Sequence, residues 1–300
     1  MRVRAITMVV VVLLTNAAAA RDNSAAPDAA YQQSYEQWKA ATIDDLRQNW
    51  LPLVGLFWLM PGENTFGTDP ANRIVFPKGP AHAGVFFLQA GDVTVRLSDE
   101  THATIEGKSV TSAALQPDNP GKPTVVEMGS LRFHVIRRGQ RLGIRLKDLD
   151  SDAIRRFPGM TLFPVDLSYR VTATWLPSDG KQTIDVPNVL GDVNHNVVPG
   201  TAVFKIHGQE YRLTALSGDP SRKLFFVFSD LTAKVDTYPG GRFLDTGPVA
   251  GGTVLLDFNR AYNPPCAVTP YATCPLAPKE NRLSIAIPVG EKYDHAHGHH

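Results

Sequence analysis

The sequence predicts an antiparallel all-β protein, a sandwich or barrel-like set of sheets with one N-terminal α-helix packed on it. Three observations carry that prediction. Only residues 31–50 show helical spacing of large apolar side chains, at Tyr31, Tyr35, Trp38, Leu46 and Trp50. From Leu51 onward, short runs rich in Val, Ile, Phe and Thr are punctuated by Gly, Pro, Asn or Asp every eight to twelve residues or so. Two pairs of runs read as hairpins, 131–146 turning at Arg138-Gly139-Gln140 and 202–216 turning at Gly208. Many strands with one substantial helix exclude a βαβ alternation.

The elements follow in order. Residues 1–20 carry Arg2 and Arg4, an apolar run from Ala5 to Leu14 and four alanines ending at Ala20, the order of a cleavable signal peptide. The apolar run is too short to span a bilayer and no other stretch approaches the roughly twenty residues needed. The mature chain is therefore expected to be exported, periplasmic or secreted, without an integral membrane segment. A polar leader over 21–30 precedes the helix, whose aromatic stripe is expected to pack on a sheet. Strands are predicted at 73–76, 84–88, 93–97, 124–127, 131–137, 142–146, 169–175, 183–186, 202–206, 210–215, 224–228, 253–258 and 283–287. In the first hairpin Leu131, Phe133 and Val135 alternate with Arg132 and His134, as in a sheet wet on one face. The 31–293 stretch, about 260 residues, suits one β-rich domain; a sub-boundary could fall only near 158–187, where no low-complexity linker marks it. Residues 294–300 form a His-rich tail.

Charge bounds the partners. Thirty basic and 29 acidic residues, interspersed, give a net charge of +1, so neither a nucleic-acid stripe nor a polybasic membrane patch is present. A small molecule or short peptide is the expected partner. No G-x-S-x-G, H-E-x-x-H, Walker A or G-x-G-x-x-G sequence occurs, and no cofactor or metal site is predicted. Asp148, Asp150 and Asp152 have the spacing of a calcium loop's first half, but Ala153 and Gly159 occupy positions that need Gly and Glu, which leaves a carboxylate-rich turn. Asp192 and His195 lie in what reads as a polar loop, a turn before it is a base and its orienter. His207 and Glu210 flank a hairpin tip and are not the helical pair of a zinc protease.

The candidate site is residues 255–292. This irregular segment holds both cysteines, Cys266 and Cys274, between Pro264-Pro265 and Pro275. In an oxidising compartment two cysteines eight positions apart are expected to form a disulfide, which would restrict the unfolded chain by about 2 to 3 kcal/mol. Around them Asp257, Asn259, Arg260, Tyr262, Asn263, Tyr271, Lys279 and Glu280, with Arg242 from an earlier segment, are the ligand-binding candidates; rigid prolines and a short cross-link would pre-order such a surface. One alternative is a hydrolase in which Asp257 or Glu280 is the base and Arg260 or Arg242 stabilises an anion. A second is structural: Asp257 pairs with Arg260 or Arg282, and the segment simply closes the fold.

Longer motifs point to a family. Residues 50–59 (WLPLVGLFWL) with GENTFG at 62–67, FPG at 157–159, TY and GRFL at 237–238 and 241–244, and above all LDFNRAYNPPCA with CPLAPKENRL resemble the bacterial family catalogued as domain of unknown function 1684. The resemblance spans nearly all of 31–292, with small departures at Ser284 and at Gln48-Asn49. It implies one shared architecture and supplies no catalytic residues. The GLFWL, GRFL and cysteine segments are expected to converge around one pocket.

Overall fold

In a computed structural model, which describes residues 27–294, the chain is built from short antiparallel strands. The signal-like residues 1–20, most of the leader and all but the first residue of the His-rich tail lie outside the described residues. Helix Ala29–Asp45 is capped by Asp28, whose carboxylate accepts from the amide of Tyr31 at 2.7 Å, and it runs on into one wide turn at Leu46–Trp50. Of the predicted stripe only Tyr35 and Leu46 are buried; the other aromatics rest partly exposed on their neighbours. No helix among the described residues is long and apolar enough to cross a membrane.

A first pair of sheets follows. The six-stranded sheet runs in the order Leu53–Trp58, Arg141–Asp148, Leu131–Arg138, Val126–Met128, Thr104–Ile105, Lys108–Ser109. The five-stranded one runs Ile74–Val75, Gly62–Gly67, Gly84–Gln89, Asp92–Leu97, Ser112–Ala114. Alternate residues from both interdigitate, with Phe66 stacked on Phe86 at 4.3 Å and edge-on to Phe133 at 5.8 Å. Gly84 has φ +157, and a Cβ there would sit 2.4 Å from the carbonyl of Arg96, so the sheet closes only over a bare backbone.

The second half contains a four-stranded sheet (Gln209–Thr214, Gly200–Ile206, Arg170–Pro177, Thr253–Asp257) and a three-stranded one (Ser217–Asp219, Lys223–Phe228, Arg242–Asp245), with a two-stranded ribbon, Thr183–Pro187 and Val193–Val197. Their core gathers Phe204, Phe226, Phe228, Phe258 and Leu244, and a third apolar cluster surrounds Val227, Tyr238, Phe243, Cys266 and Cys274 with Trp50 against it. The first core ends at Leu146 and the second begins at Tyr169. Both predicted hairpins form. The second turns at His207-Gly208, both with positive φ as a primed two-residue turn needs.

Two strand expectations are corrected. Residues 193–197, read as a polar loop, pair with 183–187, because Val193 and Val197 frame a stretch whose backbone finds a complete antiparallel partner. Residues 283–287, read as a strand, form none: Leu283 and Ile285 exchange backbone bonds with Ser229 and Leu231, but the pairing stops at one isolated bridge, and the carbonyls of Ile287 and Val289 then accept from the Arg242 guanidinium. Strands 53–58, 62–67 and 242–245 were not anticipated; glycine interrupts the apolar run in the first, the second is mostly polar and glycine-bounded, and the third is four residues long.

Candidate functional site

The cysteine segment is built as a strap. Asn281, fully buried, accepts from the amide of Thr214 at 2.8 Å and donates to the carbonyls of Thr214 and Val227 at 2.8 and 2.9 Å, tying two sheets together. Asn259 does the same for residue 166, exchanging hydrogen bonds of 2.8 and 2.9 Å with the Asp166 backbone. Asp257, at the end of strand Thr253–Asp257, accepts from the Tyr31 hydroxyl at 3.2 Å and from Asn259 at 3.1 Å, with Arg260 and Arg170 at 3.3 and 3.8 Å. Arg260 also donates to Ser34 Oγ at 2.6 Å and lies over the Tyr31 ring. Burial and the nearby Asp257 carboxylate push the Tyr31 hydroxyl well above its ordinary pKa. These residues are therefore the dock of the N-terminal helix. A carboxylate held between a hydroxyl, an amide and two guanidinium groups serves to tie the helix to the sheet and favours the charged, scaffold role.

Arg242 is 1 % exposed and fully matched: it donates to Asp230 at 2.5 Å and to the carbonyls of Ile287 and Val289, and it lies over the Phe228 ring. Asn263 accepts nothing at its buried Oδ1, but its amide donates to Glu291 at 2.7 Å and its side chain to the Lys292 carbonyl at 2.8 Å. Burial raises the Glu291 carboxyl to about 7, the Asn263 bonds opposing part of that rise. Tyr262 donates to Asp245 at 2.9 Å and lines an open depression of about 530 Å³ with Asp219 and Lys223, whose ammonium is 3.0 Å from Asp245. Lys279 and Glu280 form a loose pair at 3.8 Å on the surface, and Tyr271 sits half-buried with its amide on Thr269 Oγ1.

The expected disulfide is absent. Cys266 and Cys274 are both free and buried; the Cys266 amide donates to Cys274 Sγ at 3.2 Å and the two thiols hydrogen-bond. That bond lowers the pKa of Cys266 against its burial, while the same bond and burial raise that of Cys274. What holds this loop is a short helical turn at Pro265–Ala267 and clamps from outside. The Val189 amide donates to the Cys274 carbonyl at 3.1 Å, and that of Leu276 to the Pro187 carbonyl at 2.8 Å.

The loop presents Thr273 to the end of the first hairpin, and a cleft of about 630 Å³ opens there. Arg137, Arg138 and Arg141 line it from the hairpin, Asn188 and Asp192 from the opposite turn, and Thr273 from the cysteine loop. Arg138 makes a two-point pair with Asp118 at 2.9 and 3.0 Å and donates to Thr273 Oγ1 at 2.9 Å. Burial alone would raise the Asp118 carboxyl, but the bonds from Arg138 and the Arg137 amide hold it below the usual range. Arg141 reaches Asp192 and stacks over Trp58 at 4.6 Å. Arg137 bonds only a carbonyl, that of Gly91 at 3.3 Å. The expected convergence around one pocket is not seen: Trp58 of the GLFWL segment lies against Arg141 without lining this cleft, and Phe243 of the GRFL segment pairs with Tyr262 beside the other depression. Asp192 and His195 do not meet as base and orienter: Asp192 takes Arg141, and His195 faces Asp185 at 2.6 Å on the surface, because strand pairing sets those two opposite.

Behind the cleft the outer face of strand Arg141–Asp148 is covered, not wet. Arg145, opposite His134 in register, is 7 % exposed, with no carboxylate within 4.0 Å among the described residues. Its Nε lacks a hydrogen-bond partner, a single 3.5 Å contact joins it to Thr273, and its plane lies 5.8 Å from the Trp50 ring. Burial, then the charge of Arg138, lower its pKa to about 10; burial and Arg145 lower that of His134 to about 4. Period-two spacing showed which residues share this face. It could not show that another part of the chain covers them.

No group of three or more His, Cys, Asp or Glu able to hold a metal occurs among the described residues. No curated protein matches the chain. Among solved structures, the solution NMR structure of an uncharacterized protein from Haloarcula marismortui is similar at 33 % identity, over 48 % of this chain and 80 % of that one, with a TM-score of 0.40. The match to a family model begins at residue 155, after the first core, so the WLPLVGLFWL motif lies outside it. Through residues 155–292 the chain belongs to the family described as protein of unknown function (DUF1684).

Proposed function

We propose that the protein, exported to the periplasm or medium, binds a small carboxylate- or phosphate-bearing molecule in the cleft between the 138–141 turn, residues 188–194 and Thr273. The observation that carries this reading is the lining: three guanidinium groups from one hairpin end against a single lining carboxylate, in a cleft of about 630 Å³. That volume falls within the roughly 300–1,000 Å³ of small-molecule sites. Arginine forks match carboxylate and phosphate geometry, and an arriving anion would compete with Asp192 for Arg141 while using the unpaired fork of Arg137. The cysteine segment contributes Thr273 and the rigidity behind it. Asp257 and Glu280 are poorly placed as bases, the one flanked by two arginines at the helix dock and the other on the surface beside Lys279, so binding is favoured over hydrolysis.

Calorimetric titration with inorganic phosphate, di- and tricarboxylates and uncharged analogues tests the reading. Anions should bind and uncharged analogues should not. Arg141→Gln and Arg137→Gln should each weaken binding by about tenfold or more, the effect expected for a charge-assisted bond of roughly 1.5 to 3 kcal/mol. Equal binding of uncharged compounds, or unchanged affinity in both variants, would sink the proposal.

A further inference from the structure

The two thiols and Arg145 raise a question the cleft does not answer. Cys266 and Cys274 are adjacent, buried and unbonded, and beside them sits a guanidinium that is 93 % buried without a carboxylate and with an unpartnered Nε. A buried cation normally has a counter-charge, since an unpaired one is costly to keep from water. Of the charged groups that face it, Arg138, His134 and Lys147 are cationic or neutral, and Asp118 is already taken by Arg138. Beyond Asp118, the two sulfurs are the groups able to carry negative charge that act on it, and its 3.5 Å contact to Thr273 places it one residue from Cys274.

We propose that Cys266 and Cys274 form a two-coordinate site for a soft monovalent cation, Cu(I) in kind, with Arg145 as its counter-charge. The charges close: two thiolates and one Cu(I) carry one net negative charge, and Arg145 carries one positive. Loading breaks two S–H bonds, forms two S–Cu bonds and releases two protons to solvent, with no change of oxidation state. Soft thiolates select Cu(I) over harder ions. A closed zinc site needs four ligands, and the described residues offer no third. The loop is pre-ordered for the purpose by the turn at Pro265–Ala267 and by the clamp on the Cys274 carbonyl, and Thr273 leads from the cleft to the sulfurs. This site does not depend on the anion reading of the cleft.

The test uses the full chain, His-rich tail included. Denatured without reductant, it should first show both cysteines as free thiols; a disulfide found instead overturns the proposal. Anaerobic titration with Cu(I) buffered by bicinchoninate should then load one equivalent. That equivalent should be lost in Cys266→Ser and Cys274→Ser, and its affinity should fall about 10- to 100-fold in Arg145→Gln, as for groups that support metal ligands from behind. Copper retained by both serine variants would place it on the terminal histidines and overturn the site. Unchanged affinity in Arg145→Gln would overturn the counter-charge. X-ray absorption on the loaded wild type decides independently of how the variants fold: sulfur-only coordination supports the site, and nitrogen coordination refutes it.

Discussion

Arg242 and Arg145 are both buried arginines, yet one is matched at every turn and the other is not. Arg242 has a carboxylate and two carbonyls; Arg145 has one long contact to a threonine hydroxyl and an aromatic ring. The first is the centre of a closed polar network, where every group satisfies another and nothing is left over for a ligand. The second lies where two parts of the chain meet without completing each other's bonding. The comparison teaches that burial of charge marks a site only when the pairing is incomplete. Arg242, which the sequence offered as an anion stabiliser, belongs to the scaffold; Arg145, which it did not single out, meets Thr273, the cleft-lining neighbour of Cys274.

The sharpest way to break this contrast is to remove one partner of each network. Asp230→Asn should cost about 3 to 5 kcal/mol in urea unfolding, because it leaves Arg242 buried and uncompensated; a loss under about 1 kcal/mol would mean the pair is not what holds 287–289 in place. The two regions should also titrate in opposite directions. Glu291 has a folded pKa raised to about 7 from 4.5, so the fold binds the proton more tightly and its contribution to stability falls as pH rises from 4.5 to 7, by about 3 kcal/mol. His134 has a folded pKa lowered to about 4 from 6.5, so its contribution is full above pH 6.5 and is lost as pH falls toward 4. In the wild type the slopes oppose each other between pH 4.5 and 6.5. Glu291→Gln should unmask a stability that rises with pH there, His134→Gln one that falls, and identical unfolding-versus-pH curves for the two variants would refute both assignments.

Arg145→Met, by contrast, should change the stability of the metal-free protein by less than about 1 kcal/mol or raise it, since no carboxylate is orphaned and the stem's packing is kept. Thermal unfolding beside Asp230→Asn measures the difference; a comparable loss would erase the distinction between the two arginines. The smallest effect belongs to His195→Ala, an exposed pair with Asp185, worth about 0.5 kcal/mol or less.

Much of the fold was legible because it is local. Leu131, Phe133 and Val135 face the core as their alternation required, and the turns at Gly139 and at His207-Gly208 lie where glycine allows positive φ. The interior of the candidate segment was less so. Its irregularity was visible in its prolines, and the reading of Asp257 beside Arg260 was available from their spacing, but Tyr31 and Ser34, which complete that cluster, lie 226 positions away. The thiols were expected to bond on compartment and spacing alone; their separation depends on how the Val189 and Leu276 clamps set the loop. The cleft was missed for the same reason. Arg137, Arg138 and Arg141 read as ordinary turn residues until residues 188–194 and Thr273 stand opposite them.

By itself the sequence determined many of the strands, both hairpin turns, the long N-terminal helix and the family signature of the C-terminal half, because alternation, glycine placement and proline act over a few residues. Which charges end up paired was decided only by the tertiary structure. Pairing depends on distance and desolvation between residues remote in the chain, and those arise when the sheets and the strap close on one another. Arg242 found Asp230 in that closure, and Arg145 was left with one long contact to Thr273 and the Trp50 ring.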